Sequence, residues 1–135
     1  MHGSSAGDNA MNADWLEKTT ELNALLRALR SGAPEAMKAF SALARAATTP
    51  SSLDGKTKEM IALGIAVAIR CDDCIAFHAK AAAGQGATSA EVLETLAMAI
   101  YMGAGPSVMY ASHALEAFNQ FAGVLPRRAD AEAPA

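Results

Sequence analysis

The chain has 135 residues, room for one domain that buries roughly two-thirds of the surface its unfolded form would expose. Its formal net charge of -3, with lysines and arginines scattered along the chain, leaves no basic excess to neutralise phosphates and argues against a nucleic-acid partner. No uninterrupted apolar stretch of about 18 residues is present, and Met1 to Asn12 lacks a basic-then-apolar leader, so the expectation is a cytoplasmic protein without a membrane partner. Hydrophobic residues make up 52% of the chain but aromatics only 5%. Ala, Leu, Met and Ile therefore dominate, which favours closely packed helices, and so apolar a chain is expected to cover part of its surface as a homo-oligomer.

Residues 1–12 are rich in Gly, Ser, Asn and Asp without periodicity and read as a disordered lead-in. Asp14 is placed to cap a first helix carrying Trp15, Leu22, Leu25, Leu26 and Leu29 at helical spacing until Ser31-Gly32. Pro34 opens a second helix with Met37, Phe40, Leu43 and Ala44 on one face, and Thr48 to Ser52 forms a loop. A third helix begins near Asp54-Gly55. It runs to Ile69, nearly all apolar after a charged first turn that includes Glu59, and so reads as buried.

Arg70 to Asp73 breaks that run, and Ile75 to Ala83 resumes as helix, which puts Cys71 and Cys74 at a helix start. Thr88 with Glu91 is the capping-box pattern of a fifth helix through Val92, Leu96 and Ile100. Gly103-Ala104-Gly105-Pro106 is a break before a sixth helix, Ser107 to Phe121, with Val108, Met109, Ala114, Leu115 and Phe118 facing inward. Residues 123–135 read as a flexible tail. The expectation is an all-α single domain over residues 13–122, a bundle of about six helices.

In a reducing compartment a C-x-x-C pair is more often catalytic or metal-binding than a permanent staple. The helix N-terminus stabilises a thiolate through unpaired N–H groups and its partial positive charge. Three-residue spacing lets the sulfurs of Cys71 and Cys74 close a disulfide, so one thiol attacks and the other resolves. His78 lies one turn after Cys74 on the same face and is a candidate base; Glu59, twelve residues before Cys71, is placed to orient it if the two helices pack together. The residues alone leave open which sulfur attacks first. The helix dipole favours Cys71, whereas proximity to His78 favours Cys74.

Glu59, eleven intervening residues, then Cys71-x-x-Cys74-x-x-x-His78 resembles the signature of the AhpD-like, carboxymuconolactone decarboxylase superfamily. The resemblance spans roughly residues 35–122. It implies an all-α fold commonly assembled into trimers or hexamers, and a thiol-dependent alkylhydroperoxidase or disulfide reductase activity. It further implies Cys74 as the peroxide-attacking thiol, Cys71 as the resolving thiol, and His78 and Glu59 as a proton relay. The substrates so implied are a small hydroperoxide and a dithiol or protein-thiol reductant, with no bound cofactor or metal. The chain departs from well-characterised peroxidase members, which carry a histidine immediately before the second cysteine. Asp73 stands there instead, and its charge disfavours the Cys74 thiolate.

Two other functions compete with a peroxidase. A protein disulfide relay or redox sensor needs the same cysteines without rapid peroxide turnover. A zinc module would recruit Cys71, Cys74, His78 and the distant His113, a poor match to ordinary zinc spacing in which Glu59 has no role. Tyr110 and His113 share a face of the last helix, where they could line a pocket near the redox centre, although core or interface packing is the simpler reading. Met98, Met102 and Met109 read as adaptable core filler.

Overall fold

The computed structural model describes residues 13–125; the expected lead-in, residues 1–12, and residues 126–135 of the expected tail lie outside them. Five helices follow in chain order: α1 (Trp15–Gly32), α2 (Pro34–Thr48), α3 (Gly55–Ala68), α4 (Asp72–Gly84) and α5 (Ser89–Val124). No strand occurs among the described residues. The fold class is all-α, as the sequence implied, and α5 comprises the fifth and sixth expected helices, which meet at a kink at Ala104. Gly103-Ala104-Gly105-Pro106 thus interrupts the helix where the sequence placed a break. Ala104 leaves helical geometry at φ 55°, ψ -141° while the helix resumes at once on either side.

Helices α3, α4 and α5 pack mutually and form the centre; α1 lies across α4 and α5, and α2 touches chiefly α1. The core is made of small and medium side chains. Leu63, Val67, Ile75, Ala76, Ala79, Val92, Ala114 and Phe118 are essentially inaccessible, and the alanines let α4 sit close to α3 and α5. Trp15 closes one end of this core, its Nε1–H donating to Glu116 Oε1 at 2.7 Å and its backbone N–H to Gln120 Oε1 at 2.8 Å. By length and composition α5 could cross a membrane, but Val92, Leu96, Ala99, Ala111, Ala117 and Phe121 place it inside this bundle.

Several apolar residues expected inside are exposed. Leu25, Leu29, Phe40 and Leu43 on α1 and α2, and Met98, Met102, Val108 and Met109 on α5, face outward, so the three methionines do not fill the core. Helix α3 is buried on one side only, because α4 and α5 both pack against the face of Leu63, Ala66 and Val67, leaving Ile61, Ile65 and Ile69 uncovered. Helical periodicity marks an apolar stripe, yet a second layer must exist to cover it. Among the described residues of a single chain there is none.

Local chemistry fixes the element ends. Asp14 accepts from the Glu17 N–H, Asp54 from the Thr57 N–H, and Thr88 with Glu91 forms the reciprocal capping box at the start of α5. Glu91 also receives Lys56 Nζ at 2.8 Å, tying the start of α3 to that of α5. The hydrogen bond from Lys56, then that from the Thr88 backbone, holds the Glu91 carboxyl below its ordinary range, and Glu91 in turn holds Lys56 above its own. Because the folded value of Glu91 is depressed, the stabilisation is present above the unfolded carboxylate value and is lost as pH falls through the folded one. Thr88→Ala is expected to cost about 1 kcal/mol. Thermal melts should show a fall of about 3–5 °C at neutral pH; an unchanged melting temperature would remove the capping box from the account.

Candidate active site

The site is built where α3 hands over to α4. The Arg70 N–H bonds Val67 O at 3.1 Å and the Cys71 N–H bonds Ala66 O at 3.0 Å, which together form the paired closure of a Schellman motif. Such a closure needs a left-handed residue at its corner. Arg70 fills it at φ 60°, a position that glycine occupies at the end of α4, where Gly86 has φ 85° and Gly86 and Ala87 make the same pair of bonds to Ala83 and Ala82. The residue that closes α3 also opens α4. Cys71 is the N-cap of α4, and its Sγ accepts from the Cys74 N–H at 3.2 Å.

Cys71 and Cys74 are joined as a disulfide, their Cα atoms 5.2 Å apart. Both side chains are half-buried, and Cys74 packs against the hydrophobic core. On the same helix, one turn beyond Cys74, His78 bonds through Nδ1 to Glu59 Oε2 at 2.8 Å. Glu59 stands in the second turn of α3 rather than the first, because the helix starts at Gly55, and this extra turn brings it level with His78. Its side chain is only 12% exposed. A carboxylate only accepts, so Nδ1 carries the proton and Nε2 of a neutral imidazole is left as the basic atom.

The structure therefore brings the four residues singled out in the sequence together as two linked pairs on adjoining helices. It adds a third pair at a long sequence separation, His113 Nδ1 to Asp72 Oδ1 at 2.9 Å, and an ion pair from Lys18 Nζ to Asp73 Oδ1 at 3.4 Å. His113 and Tyr110 do share a face, with ring centroids 5.3 Å apart, but the carboxylate that His113 meets was invisible to helical spacing. Among the described residues no three His, Cys, Asp or Glu side chains converge as metal ligands. An apolar cleft of about 420 Å³ lies between α3 and α5, lined by Met60, Ile61, Gly64, Ile65, Met98 and Met102 among others; none of the four site residues reaches it.

The carboxymuconolactone decarboxylase family model matches residues 34–117, the stretch that holds α2, α3, α4 and most of α5. The chain belongs to this family. Curated relatives in it include an uncharacterized protein of Cupriavidus necator, 43% identical over 109 residues (81% of this chain and 96% of the relative), and one of Haemophilus influenzae, 41% identical over the same shares. Among solved structures, a carboxymuconolactone decarboxylase family protein from Legionella pneumophila is 49% identical with a TM-score of 0.78, covering 80% of this chain and 96% of that one. A family member from Thermotoga maritima, for which a part in the antioxidative response has been suggested, is 30% identical with a TM-score of 0.70, covering 76% and 88%. The all-α fold and the close cysteine pair agree with the AhpD-like branch of this superfamily.

The Schellman corner yields a direct test within the family fold. Arg70→Gly removes the steric cost of a left-handed non-glycine residue and is expected to stabilise the protein by about 0.5–1 kcal/mol after the larger unfolded-state entropy of glycine is deducted. Calorimetry should show a melting temperature about 2–4 °C higher. A lower one would mean that the side chain of Arg70 contributes more than its backbone costs.

Proposed function

We propose that the protein is a thiol-dependent oxidoreductase that reduces organic hydroperoxides through a Cys71/Cys74 dithiol–disulfide cycle, with His78 and Glu59 as the proton relay. The observation that carries this reading is the Glu59–His78 hydrogen bond one helical turn from the disulfide. A lone C-x-x-C needs no oriented base, and a structural disulfide has no use for one. The suggested antioxidative role of the Thermotoga maritima relative points the same way.

In the reduced enzyme Nε2 of His78 accepts the Cys74 thiol proton, while Glu59 holds the imidazole and offsets the positive charge it gains. The Cys74 thiolate attacks the terminal peroxide oxygen. An S–O bond forms, the O–O bond breaks, and the departing alkoxide takes the proton back from His78 to leave as an alcohol. Cys74 is then a sulfenic acid. Cys71, whose sulfur is stabilised as a thiolate by the Cys74 N–H at the helix start, gives its proton to His78 and attacks it; the S–S bond forms, the S–O bond breaks, and the departing hydroxide takes that proton from His78 to leave as water. A dithiol donor completes the cycle by exchange at Cys74, with Cys71 as leaving group, and becomes a disulfide itself.

Asp73 supports a second reading, a protein disulfide relay. Its carboxylate is 58% exposed beside Cys74 and adds negative charge where the peroxidase needs a thiolate. For either reading we infer a homo-oligomer, in which the exposed large apolar side chains Leu25, Leu29, Phe40, Leu43, Ile65 and Met102 would find cover.

Hydroperoxide consumption with a dithiol reductant tests the relay. Cys71→Ser and Cys74→Ser are expected to abolish multiple turnover, and Glu59→Gln to slow it by about 10²-fold, the scale of one proton-transfer group. Wild-type turnover that survives in both cysteine variants contradicts the cycle, and a reversible disulfide with no peroxide consumption favours the relay to a protein partner.

A further inference from the structure

Both residues between the cysteines are acidic. Asp72 and Asp73 are the first two residues of α4, where the helix dipole favours negative charge, but there they compete with a thiolate for the same positive helix end. Left alone, two carboxylates flanking the sulfurs would raise the cost of forming the anion on which the chemistry depends. Neither is left alone. His113 of α5 donates through Nδ1 to Asp72 Oδ1 at 2.9 Å, and Lys18 of α1 lies 3.4 Å from Asp73 Oδ1.

These two partners come from opposite ends of the chain and meet at one buried side chain. The Trp15 indole lies 6.3 Å from the His113 ring, and Lys18 Nζ lies 5.7 Å from the indole centroid. Tyr110 packs edge-on against the imidazole. Glu116, one turn beyond His113, is engaged by the Trp15 N–H, so the carboxylate that His113 meets is Asp72. Arg70, immediately before Cys71, is exposed. Because a carboxylate only accepts, His113 presents an N–H to Asp72 whether or not the ring carries a charge.

We propose that Lys18 and His113 are positioning residues of the redox couple: by engaging Asp73 and Asp72 they withdraw negative charge from the start of α4 and so stabilise the thiolate form of the cysteine pair. The inference rests on the redox reading above and adds to it a reason why an acidic C-x-x-C still yields a usable thiolate. All four side chains are about one-third to just over one-half exposed, so solvent screens the effect and each pair contributes a modest share.

The test is an ultraviolet thiolate titration of the reduced 135-residue chain, in which the two cysteines are the only thiols. Lys18→Met and His113→Leu are each expected to move the thiolate midpoint up by about half a pH unit, and the double variant by about one. A tenfold change of that kind lowers the disulfide potential by about 30 mV. Lys18→Arg should keep the wild-type midpoint, and in an Asp73→Asn background Lys18→Met should move it much less than in the wild type; a purely structural role for Lys18 predicts no such coupling. Unchanged midpoints in Lys18→Met and in the double variant overturn the proposal. Should His113→Leu fail to fold, Lys18→Met, at a half-buried position, decides alone. The titration needs no peroxide, so a protein that shows these shifts without consuming hydroperoxide would count against the peroxidase reading and leave the charge pairing standing.

Discussion

Everything at the site depends on one junction, the turn in which the Cys71 backbone closes α3 and the Cys71 sulfur opens α4. A backbone N–H given to Ala66 and a side-chain acceptor given to Cys74 are satisfied by the same residue, so the angle between the two helices is set at the redox centre itself. The left-handed Arg70 is the cost of turning so sharply, and the alanine-rich interface of α4 with α3 and α5 is what holds the turn in place. That angle fixes where the face of α3 meets α4. Glu59 and His78 approach within 2.8 Å because their helices are docked by Leu63, Val67, Ile75 and Ala79, not because either side chain attracts the other from a distance.

Electrostatics then divides the labour along α4. At its start the exposed N–H groups favour anions, and three compete for them: a sulfur and the two carboxylates of Asp72 and Asp73. One turn later His78 supplies the basic nitrogen. Its tautomer follows from the bond it makes, since Glu59 can only accept, and this leaves Nε2 as the basic ring nitrogen. A buried carboxylate without a partner would carry a large desolvation penalty, and the imidazole both satisfies it and is oriented by it.

The sequence made the site more legible than the fold around it. Cys71, Cys74 and His78 lie within eight residues of one helix, so helical spacing alone put them on neighbouring turns, and Glu59 stood out as a carboxylate in an otherwise apolar run. The helix ends were also readable, because Asp14, Asp54 and Thr88 carry their capping chemistry in the residue type. What could not be read was which apolar stripes are covered. Leu25, Phe40, Ile65 and Met102 have the periodicity of core residues, and nothing local distinguishes a stripe facing another helix of the same chain from one left open. The break at Ala104 was legible because Gly103, Gly105 and Pro106 are punctuators. A Cβ on Gly103 would overlap the Ser107 side chain, so the glycine there permits the close approach that the kink requires. His113 and Asp72, 41 residues apart, meet only through tertiary packing.

The claim on which the functional account turns is that the sulfur beside His78 attacks and the sulfur at the helix cap resolves. Trapping the sulfenic acid with a dimedone-type reagent after one equivalent of hydroperoxide, and locating the adduct by mass spectrometry in single-cysteine variants, tests it most directly. The account expects rapid adduct formation at Cys74 in Cys71→Ser and little at Cys71 in Cys74→Ser. Rapid adduct formation at Cys71 with none at Cys74 would contradict it, and would assign the attack to the helix cap instead of the histidine.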